Sequence, residues 1–117
     1  MSLLLGAAPA AVAQTAGAPA VDVESINIPS SAGKLFRPGV RITASCSANC
    51  LLVAKLRLPR SVAGRLGLTK PLIAIGITEA LANEVRTFHA RVRRRVAERL
   101  REYDGSKRMR IEVEALP

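Results

Sequence analysis

Two alternating apolar runs, separated by three residues, constrain this chain more than any other feature. Val40, Ile42, Ala44 and Cys46 alternate with Arg41, Thr43 and Ser45. After Ser47-Ala48-Asn49 the alternation resumes at Cys50, Leu52, Ala54, Leu56 and Leu58, until Pro59 stops it. Successive side chains leave a strand on opposite faces, so a period of two over this length describes half-buried strands. Two such strands joined by three residues read as a β-hairpin. In that hairpin Cys46 and Cys50 oppose each other on the apolar side, with Cβ atoms about 4.5–5.5 Å apart. A disulfide, with a Cβ separation near 3.8 Å, then needs only a local twist. Its five-residue ring removes little freedom from the unfolded chain, so the expected contribution is roughly 1–2 kcal/mol. A redox-active pair and free thiols are the alternatives. Zinc needs four ligands, and His89 is the sole histidine.

The rest of the chain reads mostly as strands. Val21, Val23 and Ile26 suggest a first short strand. Pro29 to Gly33 and Pro38-Gly39 carry turn chemistry. Ser61 to Leu68 reads as one or two helical turns, with Ser61 as N-cap and Gly67 at the left-handed C-terminal position. Ile73, Ile75 and Ile77 alternate as a core strand, Ala82-Asn83 makes a turn, and Val85 to Val92 is a strand with Phe88, Ala90 and Val92 inward. Val92, Val96, Ala97, Leu100 and Tyr103 recur at helical spacing, with Arg93, Arg94, Arg95, Arg99 and Arg101 turned away. Asp104-Gly105 stops that helix, and Met109, Ile111, Val113 and Ala115 alternate as a last strand. Five or six strands with short helices in the connections predict a mostly-β fold, an antiparallel β-sandwich of residues 21–117. The core must be aliphatic, because Phe36, Phe88 and Tyr103 are the only aromatics.

Residues 1–20 differ in kind. No charged side chain precedes Asp22, Leu3 to Leu5 open an apolar run, and Ala11-Val12-Ala13 fits the small-x-small pattern of a signal-peptidase site. The expectation is a signal peptide cleaved after Ala13, with Ala16 or Ala20 as alternatives. The competing reading is a low-complexity disordered tail, since a basic n-region is lacking. The run is too short and too interrupted by Pro and Gly to span a bilayer. Export implies a secreted or cell-surface location, where a disulfide in a small domain persists.

No catalytic constellation emerges. No Gly-x-Ser-x-Gly elbow accompanies His89, and alternation turns His89 outward. Gly64-Arg65-Leu66-Gly67 lacks the Lys-Ser/Thr ending of a phosphate loop. Glu98 and Glu102 are placed to pair with neighbouring arginines. Neither a metal nor a cofactor is expected. The feature above background is charge. The net charge is +9, and residues 91–110 hold nine cations against Glu98, Glu102 and Asp104. Arg91, Arg93, Arg94, Arg95, Arg99 and Arg101 are therefore the candidate anion-binding residues. The bland alternative is a solvated helix face. Anionic cell-envelope polymer or membrane headgroups fit such a face. Nucleic acid is the weaker candidate, because stacking aromatics are scarce.

The order of pieces also resembles a family. The segments SCSANC, LLVAKLRLP and RSVAGRLGL, with Cys46 and Cys50, Ala63 to Leu68, Ile73 to Leu81, Arg86 to Val92 and Val96 to Leu100, are similar to immunoglobulin-like (fibronectin-III-like) modules of large secreted actinobacterial proteins. The likeness covers about residues 38–116. It implies an extracellular immunoglobulin-like β-sandwich used in adhesion, spacing or carbohydrate contact. It transfers no binding residues. The partner expected for the basic face is an anionic wall polymer or another protein module.

Overall fold

The computed structural model describes residues 11–13, 19–103 and 108–117. In chain order the elements are β1 (Ala11–Ala13), β2 (Val21–Asn27), a 3-10 turn (Ala32–Leu35), β3 (Val40–Cys46), β4 (Cys50–Arg57), α1 (Arg60–Arg65), β5 (Leu72–Ala80), β6 (Arg86–Ala90), α2 (Arg94–Glu102) and β7 (Arg110–Leu116). They form two sheets, ordered β1-β7-β4-β5 and β2-β3-β6. All pairs are antiparallel except β1 with β7, where Ala11–Ala13 lie parallel to Glu112–Glu114. The fold is thus mostly β with two short helices, as the alternation requires. The predicted stop at Asp104-Gly105 lies outside the described residues, as do most of residues 1–18.

The expected hairpin between the two most regular strands does not form. β3 pairs with β2 and β6, whereas β4 pairs with β5 and β7. Cys46 lies opposite Val21 in one sheet and Cys50 opposite Ala80 in the other. Ser47-Ala48-Asn49 is therefore an arch that carries the chain from sheet to sheet. The disulfide does form, but it joins the two sheets rather than two rungs of one ladder, with Cα atoms 6.7 Å apart. Alternation requires only that each strand have one apolar face. It cannot distinguish a pair of strands from two strands whose apolar faces meet.

Those faces do meet. Val40, Ile42, Ala44, Phe88 and Ala90 from one sheet and Leu52, Ala54, Leu56, Ile111, Val113 and Ala115 from the other belong to a single buried cluster. Each large aliphatic buried there contributes about 1.5–3 kcal/mol. Val92, Leu35 and Leu100 extend the cluster under the helices. The arch is braced from outside. The Ala82 amide donates to Asn49 Oδ1 at 2.9 Å, and the Asn83 amide donates to the Cys46 carbonyl at 2.7 Å. Asn83 has φ 61°, as a turn residue should. Because these contacts persist without the disulfide, Cys46→Ala/Cys50→Ala is expected to fold. It should lose about 1–2 kcal/mol, or roughly 5–15 °C in Tm by thermal circular dichroism.

β5 corrects a second expectation. Ile75 and Ile77 are not core residues: they are 48% and 61% exposed, while Ala74, Gly76 and Ala80 are buried. Ile73 is the extra residue of a bulge opposite Leu56 and Arg57 and is buried. The cause is β6, whose backbone crosses β5 at Gly76. A Cβ on Gly76 would stand 2.5 Å from the His89 carbonyl oxygen. Only the small residues of β5 fit beneath that crossing, so the large ones face out.

Other expectations hold more closely. Gly67 ends α1 at φ 72°, and the Leu68 amide closes the helix on the Ala63 carbonyl at 2.9 Å. Pro59, not Ser61, holds the N-cap position. In α2, Ala97 and Leu100 are buried and Val96 is half-buried, leaving the arginines outside.

Candidate functional site

The strand order gives the molecule two unlike ends. β3 enters the arch where β4 leaves it, so the disulfide and the Leu81–Val85 connection lie at one end. At the other, β4 runs into α1, α1 returns to β5, β6 runs into α2, and α2 returns to β7. Arg57, at the end of β4, sits opposite both Leu72 and Arg110. Four connections therefore converge on one pole, and most of the cations are carried there.

The six candidate arginines divide between duties. All are exposed. Arg94 places its guanidinium 5.3 Å from the centre of the Phe36 ring, whose other cationic neighbour, Arg37, is at 5.6 Å. Arg99 Nη1 donates to the Leu66 carbonyl at 2.8 Å and so ties α2 to the C-terminus of α1, where orphan carbonyls attract a cation. Arg94 and Arg101 border a depression of about 190 Å³ that also contains Glu98. Glu98 and Glu102 form no ion pair among the described residues. Arg95 stays on the outer face of α2, apart from the larger grooves. Arg91 and Arg93 turn the other way, toward β5, and Arg91 Nε is anchored on the Pro38 carbonyl at 3.4 Å.

Three grooves adjoin at the basic pole, each sharing lining residues with the next. The first, about 560 Å³, lies between β5 and the β6–α2 connection and is lined by Lys70, Arg91 and Arg93 over Leu68, Leu72, Ile73, Ile75 and Val96. The second, about 340 Å³, shares Leu68, Thr69 and Lys70 with the first and adds Arg60 and Pro71. The third, about 640 Å³, shares Arg60 and Pro71 with the second and adds Arg57, Arg108 and Arg110 around Leu58, Pro59 and Met109. Among the described residues these grooves are lined by seven cations, Arg57, Arg60, Lys70, Arg91, Arg93, Arg108 and Arg110, and by no Asp or Glu. No family model, curated protein or solved structure matches this chain.

The geometry of the pole must therefore speak for itself. Two of its cations are partly compensated from below. Glu112 accepts from Arg57 Nη1 at 2.7 Å and lies 3.6 Å from Arg110 Nε, which allows two guanidiniums to stand opposite each other across β4 and β7. Lys55 and Glu114 form a separate pair at 2.9 Å on the same outer face. Among the described residues Arg60, Lys70, Arg91, Arg93 and Arg108 have no carboxylate within ion-pair distance. Like charges held around these adjoining grooves raise the local potential, and a bound anion lowers it.

Sequence reasoning placed the candidate site on α2 and missed Arg57, Arg60 and Lys70. They lie 21 to 34 residues upstream of Arg91, where the basic cluster begins. The available signal was positional: Arg57 and Arg60 flank Pro59, which separates β4 from α1, and Lys70 precedes Pro71, which leads into β5. His89 is exposed on β6, opposite Arg41. No group of three or more His, Cys, Asp or Glu that could hold a metal occurs among the described residues.

Proposed function

We propose that this chain is a non-catalytic, extracytoplasmic binding module that holds an anionic polymer against its basic pole, and so serves adhesion or spacing at the cell surface. One observation carries the reading: a trough of adjoining grooves, lined among the described residues by seven cations and no carboxylate, on a scaffold closed by a disulfide. A trough suits a linear ligand, because successive charges can meet successive arginines. Arginine also presents a planar fork that matches phosphate and carboxylate. The extracytoplasmic location is supported by the disulfide. Among the described residues no helix is long and apolar enough to cross a membrane. The reading includes an immunoglobulin-like sandwich for the two sheets. It is supported by the one cluster their buried faces share and by a disulfide that ties sheet to sheet.

Nucleic acid fits the trough less well than a wall polymer. Phe36, Phe88 and Tyr103 are all absent from its lining, so no stacking platform accompanies the charges. The test is the salt dependence of binding to poly(glycerol phosphate) and to single-stranded DNA of equal charge. If about four phosphates are engaged, affinity for the glycerol polymer falls on the order of 100-fold between about 50 and 200 mM salt. It should equal or exceed the affinity for DNA. A flat salt response removes the polyanion reading, and a marked preference for DNA replaces the wall polymer with nucleic acid.

A further inference from the structure

The first groove of the trough differs from the other two. Its floor includes branched aliphatics of β5, Ile73 and Ile75, with Val96 of α2 behind them. A strand that must keep small residues beneath β6 has no need of isoleucine on its open face, yet Ile75 stands 48% exposed beside Lys70, Arg91 and Arg93. Exposed apolar surface rimmed by charge marks a ligand groove. A simple inorganic polyanion would leave that floor wet.

We infer that this groove binds a single-chain amphiphilic anion, an alkyl phosphate monoester or alkyl carboxylate, whose headgroup lies among Lys70, Arg91 and Arg93 and whose alkyl chain covers Ile75 and Val96. The volume of about 560 Å³ is within the roughly 300–1,000 Å³ of small-ligand pockets. Arg91 is pre-positioned by its bond to the Pro38 carbonyl, which engages Nε and leaves both terminal nitrogens for the ligand. An alkyl chain on the floor excludes water and strengthens each charge contact above it. The inference deepens the polyanion reading, since the same three cations serve both, and it identifies the ligand as one with a lipid-like end.

The experiment measures binding of the full chain to monomeric dodecyl phosphate, inorganic phosphate, dodecyl maltoside and poly(glycerol phosphate) by titration calorimetry. Dodecyl phosphate is expected to bind at least about 30-fold more tightly than inorganic phosphate, because several methylenes leave water. It should bind at least about 10-fold more tightly than the uncharged maltoside. Ile75→Thr keeps the β-branch, and should weaken dodecyl phosphate about 10-fold while leaving the polymer unchanged. Ile77→Thr, on the same face but outside the groove, should change neither. Equal affinity for dodecyl and inorganic phosphate, or an equal loss from Ile77→Thr, overturns the groove. So does binding to phosphatidylglycerol vesicles without binding of the monomer, which indicates a surface contact instead. Polymer binding without dodecyl phosphate binding sinks this inference alone. Dodecyl phosphate binding without polymer binding sinks the polyanion reading and leaves the groove standing.

Discussion

Gly76→Ala is expected to destabilise the protein by about 2–3 kcal/mol, although alanine is the better residue at an ordinary strand position. The added Cβ would meet the His89 carbonyl oxygen at 2.5 Å, the His89 carbonyl carbon at 2.9 Å and the Ala90 Cα at 3.1 Å. All three are backbone atoms, so no rotamer change relieves them. β6 must move away from β5, and the move opens the cluster around Phe88 and Ala90. Gly64→Ala in α1 is the internal control. Its Cβ would meet nothing within 4 Å, and helix propensity then favours alanine by about 0.5–1 kcal/mol. Thermal denaturation should therefore move in opposite directions for the two variants, with Tm falling roughly 8–20 °C for Gly76→Ala. A Gly76→Ala protein that melts with or above the wild type would show that β6 does not cross β5 there.

The second large effect concerns the trough. Arg60→Gln/Lys70→Gln/Arg93→Gln is expected to weaken poly(glycerol phosphate) binding on the order of 100-fold at low salt. It should also reduce the salt slope by about one for each phosphate contact removed. These side chains are exposed and make no ion pair among the described residues, so the fold should be unaffected. Arg94→Gln/Arg95→Gln/Arg101→Gln removes the same charge from α2 outside the trough. If the grooves hold the polymer, its affinity changes less than about threefold, in line with long-range screening alone. A larger loss from the α2 variant than from the trough variant would return the site to the helix face. Binding by fluorescence anisotropy at two salt concentrations separates the outcomes.

The strands were legible because each buries one face, and the regular repeat of Val40 to Cys46 and Cys50 to Leu58 reports that burial directly. Their pairing was not. A three-residue connection serves a hairpin or an arch, and the choice falls to partners far away in sequence, β6 for β3 and β5 for β4. The same limit explains Ile75 and Ile77. Alternation puts them on one face without saying which. The telling residues were their small neighbours Ala74, Gly76 and Ala80, whose sizes meet the demands of a close crossing. The disulfide was legible for a similar reason in reverse. Two cysteines four apart, both on apolar faces, come together in either geometry.

The candidate site divides along the same line. The amphipathic character of α2 follows from 3.6-residue periodicity, and with it the exposure of Arg93, Arg94, Arg95, Arg99 and Arg101. Whether an exposed arginine holds the fold together or awaits a ligand depends on what lies across from it. Arg99 meets a helix end and Arg94 a phenyl ring, while Arg93 lines a groove beside Lys70. By itself, the order of residues determined which segments from Val21 onward alternate as strands and that the chain is strongly basic, but neither the strand at Ala11–Ala13 nor which face of β5 is buried. The tertiary structure alone decided which strands are neighbours and which cations share a groove. Side-chain periodicity is a local property of the backbone, whereas residues 70, 91 and 93 come to line one groove only after the connections have been folded to one pole.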